Sequence, residues 1–251
     1  MKKIVLAVVA LSFLVGIAGA QNIESIKTLI TLSQFKKAKE DLDKAMGNAK
    51  FSAKPEAYMQ KASIYGALSL DEEYKNKPEG NQLLADAVAA YNKYKEMDKD
   101  MKLLDDAIYQ NASINIYSSY YSAGYFDYTK KNWKEGLVKL QNAIEFSDYL
   151  IIKKMINSTV DTNVLILAGI CAEQSGQKDE ATKYYSRLAE AKIGGADFES
   201  VYQFLVNHYF IKKDMANFEK FKSIGEVYIQ TVNILSMIKL TLRWAWKQIL
   251  T

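Results

Sequence analysis

The sequence predicts an all-α protein built as a stack of about five antiparallel helical hairpins. Apolar and small residues recur at helical spacing along most of the 251 residues. The only two prolines are Pro55 and Pro78, and no β-rich segment with turn punctuation interrupts the helical pattern. A small residue also opens the second helix of each predicted hairpin, at intervals of 49, 49, 45 and 35 residues: Ala38, Ala87, Gly136, Ala181 and Ala216.

The predicted elements are joined by polar connections. Pro55 is expected at a helix start, where its missing amide costs nothing, and Pro78 lies in a polar insertion. In chain order, the sequence predicts a helix pair over 22–45, a loop over Phe51–Lys54, a helix over Glu56–Leu70, its partner over Asn81–Met97, a long helical stretch over Met101–Tyr128, a second helix to about Phe146, a hairpin over Asn163–Ala191 and a last hairpin from Tyr202.

The hairpin from Ile116 to Ile144 indicates how the helices pack. Its polar turn falls around Lys130–Asn132, and small residues on both helices let the two backbones approach closely. A single hairpin cannot bury its hydrophobic face alone, so it needs copies of itself. The facing stripes are Tyr120, Ala123 and Gly124 on the first helix, and Gly136, Leu140 and Ala143 on the second.

A second copy carries Gly169, Ala181 and Tyr185 in matching places, and this pattern resembles the tetratricopeptide repeat (TPR). The match is good over Leu165–Leu188 and Tyr120–Ala143, and QKDEAT at Gln177 aligns with KKDMAN 35 residues later. The resemblance covers residues 22–225 and implies a right-handed TPR-like superhelix. The first tryptophan and the closing proline of each repeat are absent. With its lysine-, asparagine- and tyrosine-rich composition, the chain resembles exported TPR proteins of the Bacteroidetes type.

One face of the predicted helix before Lys130 is rich in tyrosine. Tyr117, Tyr121, Tyr125 and Tyr128 recur at helical spacing, and tyrosine offers a large contact area with a polar tip. The TPR resemblance implies that this face lines a concave groove that binds a partner, and the matching positions of the next unit are Asn163, Ile166, Ile170 and Glu173. The alternative is that the rings pack on the neighbouring unit.

The N-terminus predicts export. Lys2 and Lys3 precede an apolar run over Ile4–Ala20 that ends in Ala18-Gly19-Ala20, a small-x-small cleavage site. We therefore expect a cleavable signal peptide over residues 1–20 and a location in the periplasm or cell envelope. The rival interpretation is an uncleaved membrane anchor, for which the run is short.

The charge balance argues against a nucleic-acid partner. The full chain has 33 basic and 29 acidic residues. Leaving out the two signal lysines, and the three basic and one acidic residues of 226–251, leaves 28 of each over 21–225. Nucleic-acid surfaces usually carry a basic stripe, and this sequence predicts none.

The sequence offers little for catalysis. Its only histidine, His208, lies between apolar residues and is expected to pack in a helix, without a nucleophile elbow beside it. Its only cysteine, Cys171, is expected to be a buried thiol. We expect no catalytic residue, metal site or cofactor. The predicted function is a non-enzymatic scaffold for a protein or peptide, and the alternative is a carbohydrate or cell-wall binding module that uses exposed tyrosines.

The sequence changes character after Gly225. Residues 226–251 contain two of the three tryptophans, and one interpretation is an amphipathic helix that makes peripheral membrane contact. A second is a frameshift product, because stepping back one base after Gly225 can yield an acidic, aromatic continuation. Since no polar capping helix is evident, we also expect association through the C-terminal end.

Overall fold

The computed structural model describes residues 22–229. The predicted signal peptide over 1–20 and residues 230–251 of the predicted tail lie outside the described residues. Within 22–229 the fold is all-α: it contains eleven α-helices and two short 3₁₀ segments, and no strand. The helices are α1 (22–31), α2 (Phe35–Met46), α3 (Ala49–Ser52), α4 (Pro55–Ser69), α5 (Pro78–Met97), α6 (Ala107–Thr129), α7 (Trp133–Ile152), α8 (Thr162–Gln174), α9 (Lys178–Glu190), α10 (Glu199–Ile211) and α11 (Met215–Tyr228).

The chain divides into two compact units, with the boundary between Ala123 and Gly124 inside α6. In the first unit α2 packs on α4, and α4 packs on α5. Pro55 begins α4, in agreement with its predicted place at a helix start. Pro78 was predicted to lie in a polar insertion before a helix from Asn81, but α5 begins at Pro78 itself, because the fixed φ of proline also suits the first turn of a helix. The core of this unit is built from large apolar side chains that are almost fully buried, among them Ile26, Leu42, Phe51, Met59, Ile64 and Tyr94.

In the second unit each helix from α7 to α10 contacts the next one along the chain. Close backbone approach replaces bulky packing at the start of this unit. A Cβ placed on Gly136 would lie 3.3 Å from the carbonyl oxygen of Gly124, so neither position has room for a larger side chain without movement. The predicted close approach of α6 and α7 at these two glycines is confirmed.

Four helix-to-helix turns share one backbone geometry. In each, one residue has a positive φ, and the amide of the following residue donates a hydrogen bond of 2.8–3.0 Å to the carbonyl five residues earlier. This bond satisfies a carbonyl at the end of the first helix, and the next helix begins directly after it. The residues with positive φ are Ser33, Lys131, Gly176 and Lys213.

This turn defines equivalent positions in the second helices and corrects one prediction. Five residues after the positive φ stand Ala38, Gly136, Ala181 and Phe218, and all four are buried. Ala216 is exposed, so its predicted role belongs to Phe218, 37 residues after Ala181. The physical reason is Asp214, which occupies the N-cap and accepts a hydrogen bond of 3.1 Å from the amide of Asn217.

Three predicted boundaries also differ from the structure. Residues 51–54 were expected to form a loop, but the fully buried ring of Phe51 lies in the short helix α3. The stretch from Met101 begins as a 3₁₀ segment, because the Asp98 carboxylate binds the amide of Lys102 at 2.8 Å and interrupts the helix. Helix α7 continues past Phe146 to Ile152, since Leu150 extends its buried stripe.

Candidate functional site

The end of α6 in the second unit is held in place by a buried carboxylate. Asp127 is almost fully buried and pairs with the ammonium of Lys139 on α7 at 2.5 Å. Asn132 in the turn donates to the same carboxylate at 3.3 Å. Because a buried charge is costly unless it is paired, these contacts fix the α6–α7 turn and the side chains beside it.

An accessible group of rings lies next to this turn. The rings of Tyr125 and Tyr128 stack with centroids 6.0 Å apart, and Trp133 meets Tyr128 edge-on at 5.8 Å. Tyr125 is 49% exposed, and Tyr128 and Trp133 are half-buried. We call Tyr125, Tyr128 and Trp133 the aromatic cluster. It presents ring surface to solvent at the predicted partner-binding residues of this unit.

The remaining predicted site residues are accessible to different degrees. In the first unit, the half-buried rings of Tyr117 and Tyr121 stack with centroids 6.1 Å apart. On α8, Ile166 and Ile170 are half-buried, while Asn163 and Glu173 are exposed. Glu173 accepts a hydrogen bond of 3.1 Å from the hydroxyl of Tyr185, which is otherwise buried.

Glu173 also belongs to a cleft that the sequence did not predict. The cleft has a volume of about 510 Å³ and lies between the end of α8, the first turn of α9 and the last half of α10. We call it the α8–α10 cleft. Its size falls within the range of about 300–1,000 Å³ that is usual for ligand sites. The lining side chains used in the argument below are Glu173, Lys178, Asp179, Glu180, Phe204, His208 and Lys212.

His208 lies at the centre of an aromatic chain in this cleft. Its ring stacks on Phe204 at 5.8 Å and meets Tyr209 edge-on at 5.3 Å, and the side chain is 8% exposed. Burial lowers the pKa of the imidazole, and the nearby Lys212 lowers it further. The ammonium of Lys212 pairs with Asp179 and holds the pKa of that carboxyl below its usual value.

Sequence reasoning placed Glu173 at a site but missed its neighbours. Asp179 and His208 are 29 residues apart and belong to no local motif. They come together because α9 packs on α10. Charged residues flank two successive helix-to-helix turns, and this pattern could have indicated the cleft. It becomes visible only after the sequences of the two turns have been aligned.

Cys171 is fully buried, as predicted, and faces the backbone at Gly136, where a Cβ would meet its sulfur at 3.3 Å. Burial, together with the charge of Asp127, raises the pKa of the thiol to about 11. This thiol is therefore protonated at neutral pH, and a thiolate nucleophile is disfavoured there.

The described part of the chain contains neither a metal-ligand cluster nor a membrane-spanning helix. Over residues 22–229, no three or more metal-ligating side chains lie together in a way that could hold an ion. None of the helices in this range is both long enough and apolar enough to cross a membrane.

No protein-family model matches this chain, and a search of curated proteins finds no match. The TPR resemblance therefore rests on the residue pattern alone and stays a prediction.

Proposed function

We propose that this protein is a non-enzymatic interaction scaffold of the cell envelope, which binds a peptide or another protein on exposed helix faces. The observation that supports it best is the aromatic cluster of Tyr125, Tyr128 and Trp133. Exposed aromatic side chains provide large contact area at small entropic cost and are enriched at binding hot spots.

We also propose that the hairpins belong to a right-handed TPR-like solenoid. The support is local: four turns share the same hydrogen bond, and a buried residue stands five positions after the positive-φ residue of each turn. Repeats of this kind contact mainly their neighbours and leave a long surface for partners. The partner-binding residues would then be Tyr117, Tyr121, Tyr125, Tyr128, Asn163, Ile166, Ile170 and Glu173.

A pair of matched variants tests the scaffold. Tyr125→Ala removes a 49% exposed ring, and Ile152→Ala, at the end of α7, removes a 76% exposed apolar side chain away from the rings. Purified chains are used to capture proteins from an envelope extract. We expect Tyr125→Ala to lose at least about tenfold of a captured protein, as for a hot-spot residue, and Ile152→Ala to keep it. Equal capture by both variants and by the native chain would move the site away from the aromatic cluster.

A carbohydrate-binding module is the second candidate. The observation in its favour is the exposed face of Tyr125, stacked with Tyr128, because sugar rings stack on such faces. Only this candidate predicts affinity for soluble glycans without a protein partner. Isothermal titration with cell-wall oligosaccharides separates the two candidates, since glycan binding lost in Tyr125→Ala would favour the module over the scaffold.

We further propose association through the C-terminal end, where Ile211, Met215 and Val227 are exposed apolar residues of α10 and α11. Exposed apolar side chains at the end of a repeat array favour contact with another chain. Light scattering measures this, and a clean monomer at high concentration would contradict it.

A further inference from the structure

The charges that line the α8–α10 cleft are unevenly neutralised. Asp179 pairs with Lys212, and Glu180 pairs with Lys183 at 2.5 Å. Glu173, the third carboxylate of the cleft, has no cationic partner among the described residues and accepts only the Tyr185 hydroxyl. The cleft thus offers one carboxylate whose charge is not neutralised by any side chain of residues 22–229.

Aromatic rings stand beside this carboxylate. The ring of Tyr185 connects the two features: its hydroxyl lies 3.1 Å from Glu173, and its ring meets the edge of Phe204 at 5.0 Å. Phe204 in turn is nearly parallel to the imidazole of His208, with 14° between the planes. The cleft therefore combines an available carboxylate with flat ring surface.

His208 adds a second unused polar group. Its side chain is more than nine-tenths buried and lines the cleft. The Asp179 oxygen lies 3.6 Å from Nε2, too far for a hydrogen bond, and no other partner among the described residues bonds to the ring. Because burial lowers its pKa, the imidazole is neutral near pH 7 and one ring nitrogen can accept a hydrogen bond.

We propose that the α8–α10 cleft binds an arginine side chain of the partner peptide. The guanidinium would pair with Glu173, stack on the Phe204 ring and donate to a ring nitrogen of His208. Arginine matches this lining because its planar group forms forked hydrogen bonds with a carboxylate and stacks on aromatic faces, whereas lysine carries a strongly hydrated point charge. This inference rests on the proposed scaffold function and identifies the chemistry of the partner.

Two groups in the cleft act against a cation. Lys178 is exposed and carries positive charge at the start of α9, where the helix dipole is also positive. Lys212 lines the opposite side but is engaged by Asp179. Selectivity is therefore expected to come from ring stacking and the forked contact with Glu173. Protonation of His208 would add a further positive charge beside Lys178 and Lys212, so binding should weaken as the pH falls.

The only histidine of the chain provides the readout, because its Hε1 proton gives a single NMR signal that no other residue can be confused with. The full chain is titrated with N-acetyl-arginine amide and, in parallel, with the neutral isostere N-acetyl-citrulline amide. We expect a saturable shift of the His208 signal with the arginine probe and an affinity about tenfold lower for the citrulline probe, which lacks the charge. Equal responses to the two probes, or no saturable response, would overturn the proposal.

Glu173→Gln removes the charge but keeps an oxygen that accepts from Tyr185, so the fold should be retained. The matched control is Glu145→Gln, which changes an exposed carboxylate on α7, outside the cleft. Arginine affinity should fall about tenfold in the first variant and stay unchanged in the second; an unchanged affinity in Glu173→Gln would overturn the proposal. If a partner is captured through Tyr125 but the cleft does not bind the arginine probe, the arginine proposal is wrong and the scaffold proposal stands. Arginine binding without any captured protein would support the cleft and count against the scaffold.

Discussion

The α8–α9 and α10–α11 hairpins have the same turn but different contacts between their helices. Gly169 precedes the positive-φ residue of the first turn by seven residues, and Val206 holds that place in the second. The ring of Tyr185 lies against Gly169, so close that a Cβ on this glycine would clash with it. In the second hairpin the two helices are joined by aromatic side chains, with the ring centroids of Phe210 and Phe218 5.8 Å apart.

The backbone turn, and not the side-chain pattern, therefore sets the register between the two helices. Ala181 and Phe218 occupy equivalent places although one is small and the other large. A small residue at Ala181 and a large ring at Phe218 are both compatible with the same turn. Substitutions in the two hairpins can therefore test which residues are equivalent.

The largest effect is expected at Phe218, which is buried against Phe210. Phe218→Ala should lower the free energy of unfolding by about 3–5 kcal/mol, because it removes a buried ring and leaves a cavity. Ala216→Ser should change it by less than about 0.5 kcal/mol, as for an exposed position. Urea denaturation measures both. A large loss of stability in Ala216→Ser would favour the sequence alignment, in which Ala216 is equivalent to Ala181.

Gly169→Ala tests the close contact of the α8–α9 hairpin. The added methyl must displace the ring of Tyr185, and overpacking of this kind costs about 1–3 kcal/mol. Gly47→Ala is the control, since its nearest contact would be an ordinary 3.4 Å. Denaturation midpoints should separate the two variants. A Gly169→Ala protein as stable as Gly47→Ala would mean that the ring does not lie against α8.

A smaller effect is expected from the turn residues themselves. Gly176→Ala should cost about 1 kcal/mol, because φ is +80° and no atom lies near the added methyl, so that only the backbone is strained. Lys213→Gly should stabilise by up to about 1 kcal/mol, since it relieves a lysine at φ 58°. Thermal melting shows whether each variant raises or lowers the melting temperature. Effects of the same sign in both variants would contradict equivalence of the two turns.

The smallest effect is the pH dependence that comes from His208. Its folded-state pKa is lowered, chiefly by burial, so the unfolded chain binds the proton more readily. The contribution to stability is present above the unfolded value of about 6.5 and is lost as the pH falls through the folded value. Melting temperatures between pH 7.5 and pH 5 should fall less in His208→Gln than in the native chain. Identical profiles would place the imidazole in solvent.

Local features of the sequence were sufficient to predict the all-α fold and many of the helices. Helical periodicity, the two prolines and the polar turn near Lys131 are all contained in short stretches of chain. The periodicity also placed Tyr125 and Tyr128 on a face that the structure leaves accessible.

The register of the last hairpin could not be predicted in this way. Ser33, Lys131 and Lys213 adopt positive φ without being glycine, so in three of the four equivalent turns no glycine marks the residue that fixes the register. The similarity between QKDEAT and KKDMAN then misplaced the last helix by two residues. The α8–α10 cleft was missed because Asp179 and His208 meet only through the packing of α9 on α10.

Amide hydrogen exchange at Asp179 and Asp214 tests the equivalence of the turns most directly. The sequence alignment pairs these two residues, whereas the turn geometry pairs Asp214 with Gln177. The Asp214 amide donates to the carbonyl of Tyr209 at 3.0 Å, whereas Asp179 lies in the first turn of α9, where amides have no partner within the helix. We predict slow exchange at Asp214 and fast exchange at Asp179. Fast exchange at both amides would contradict the shared turn geometry.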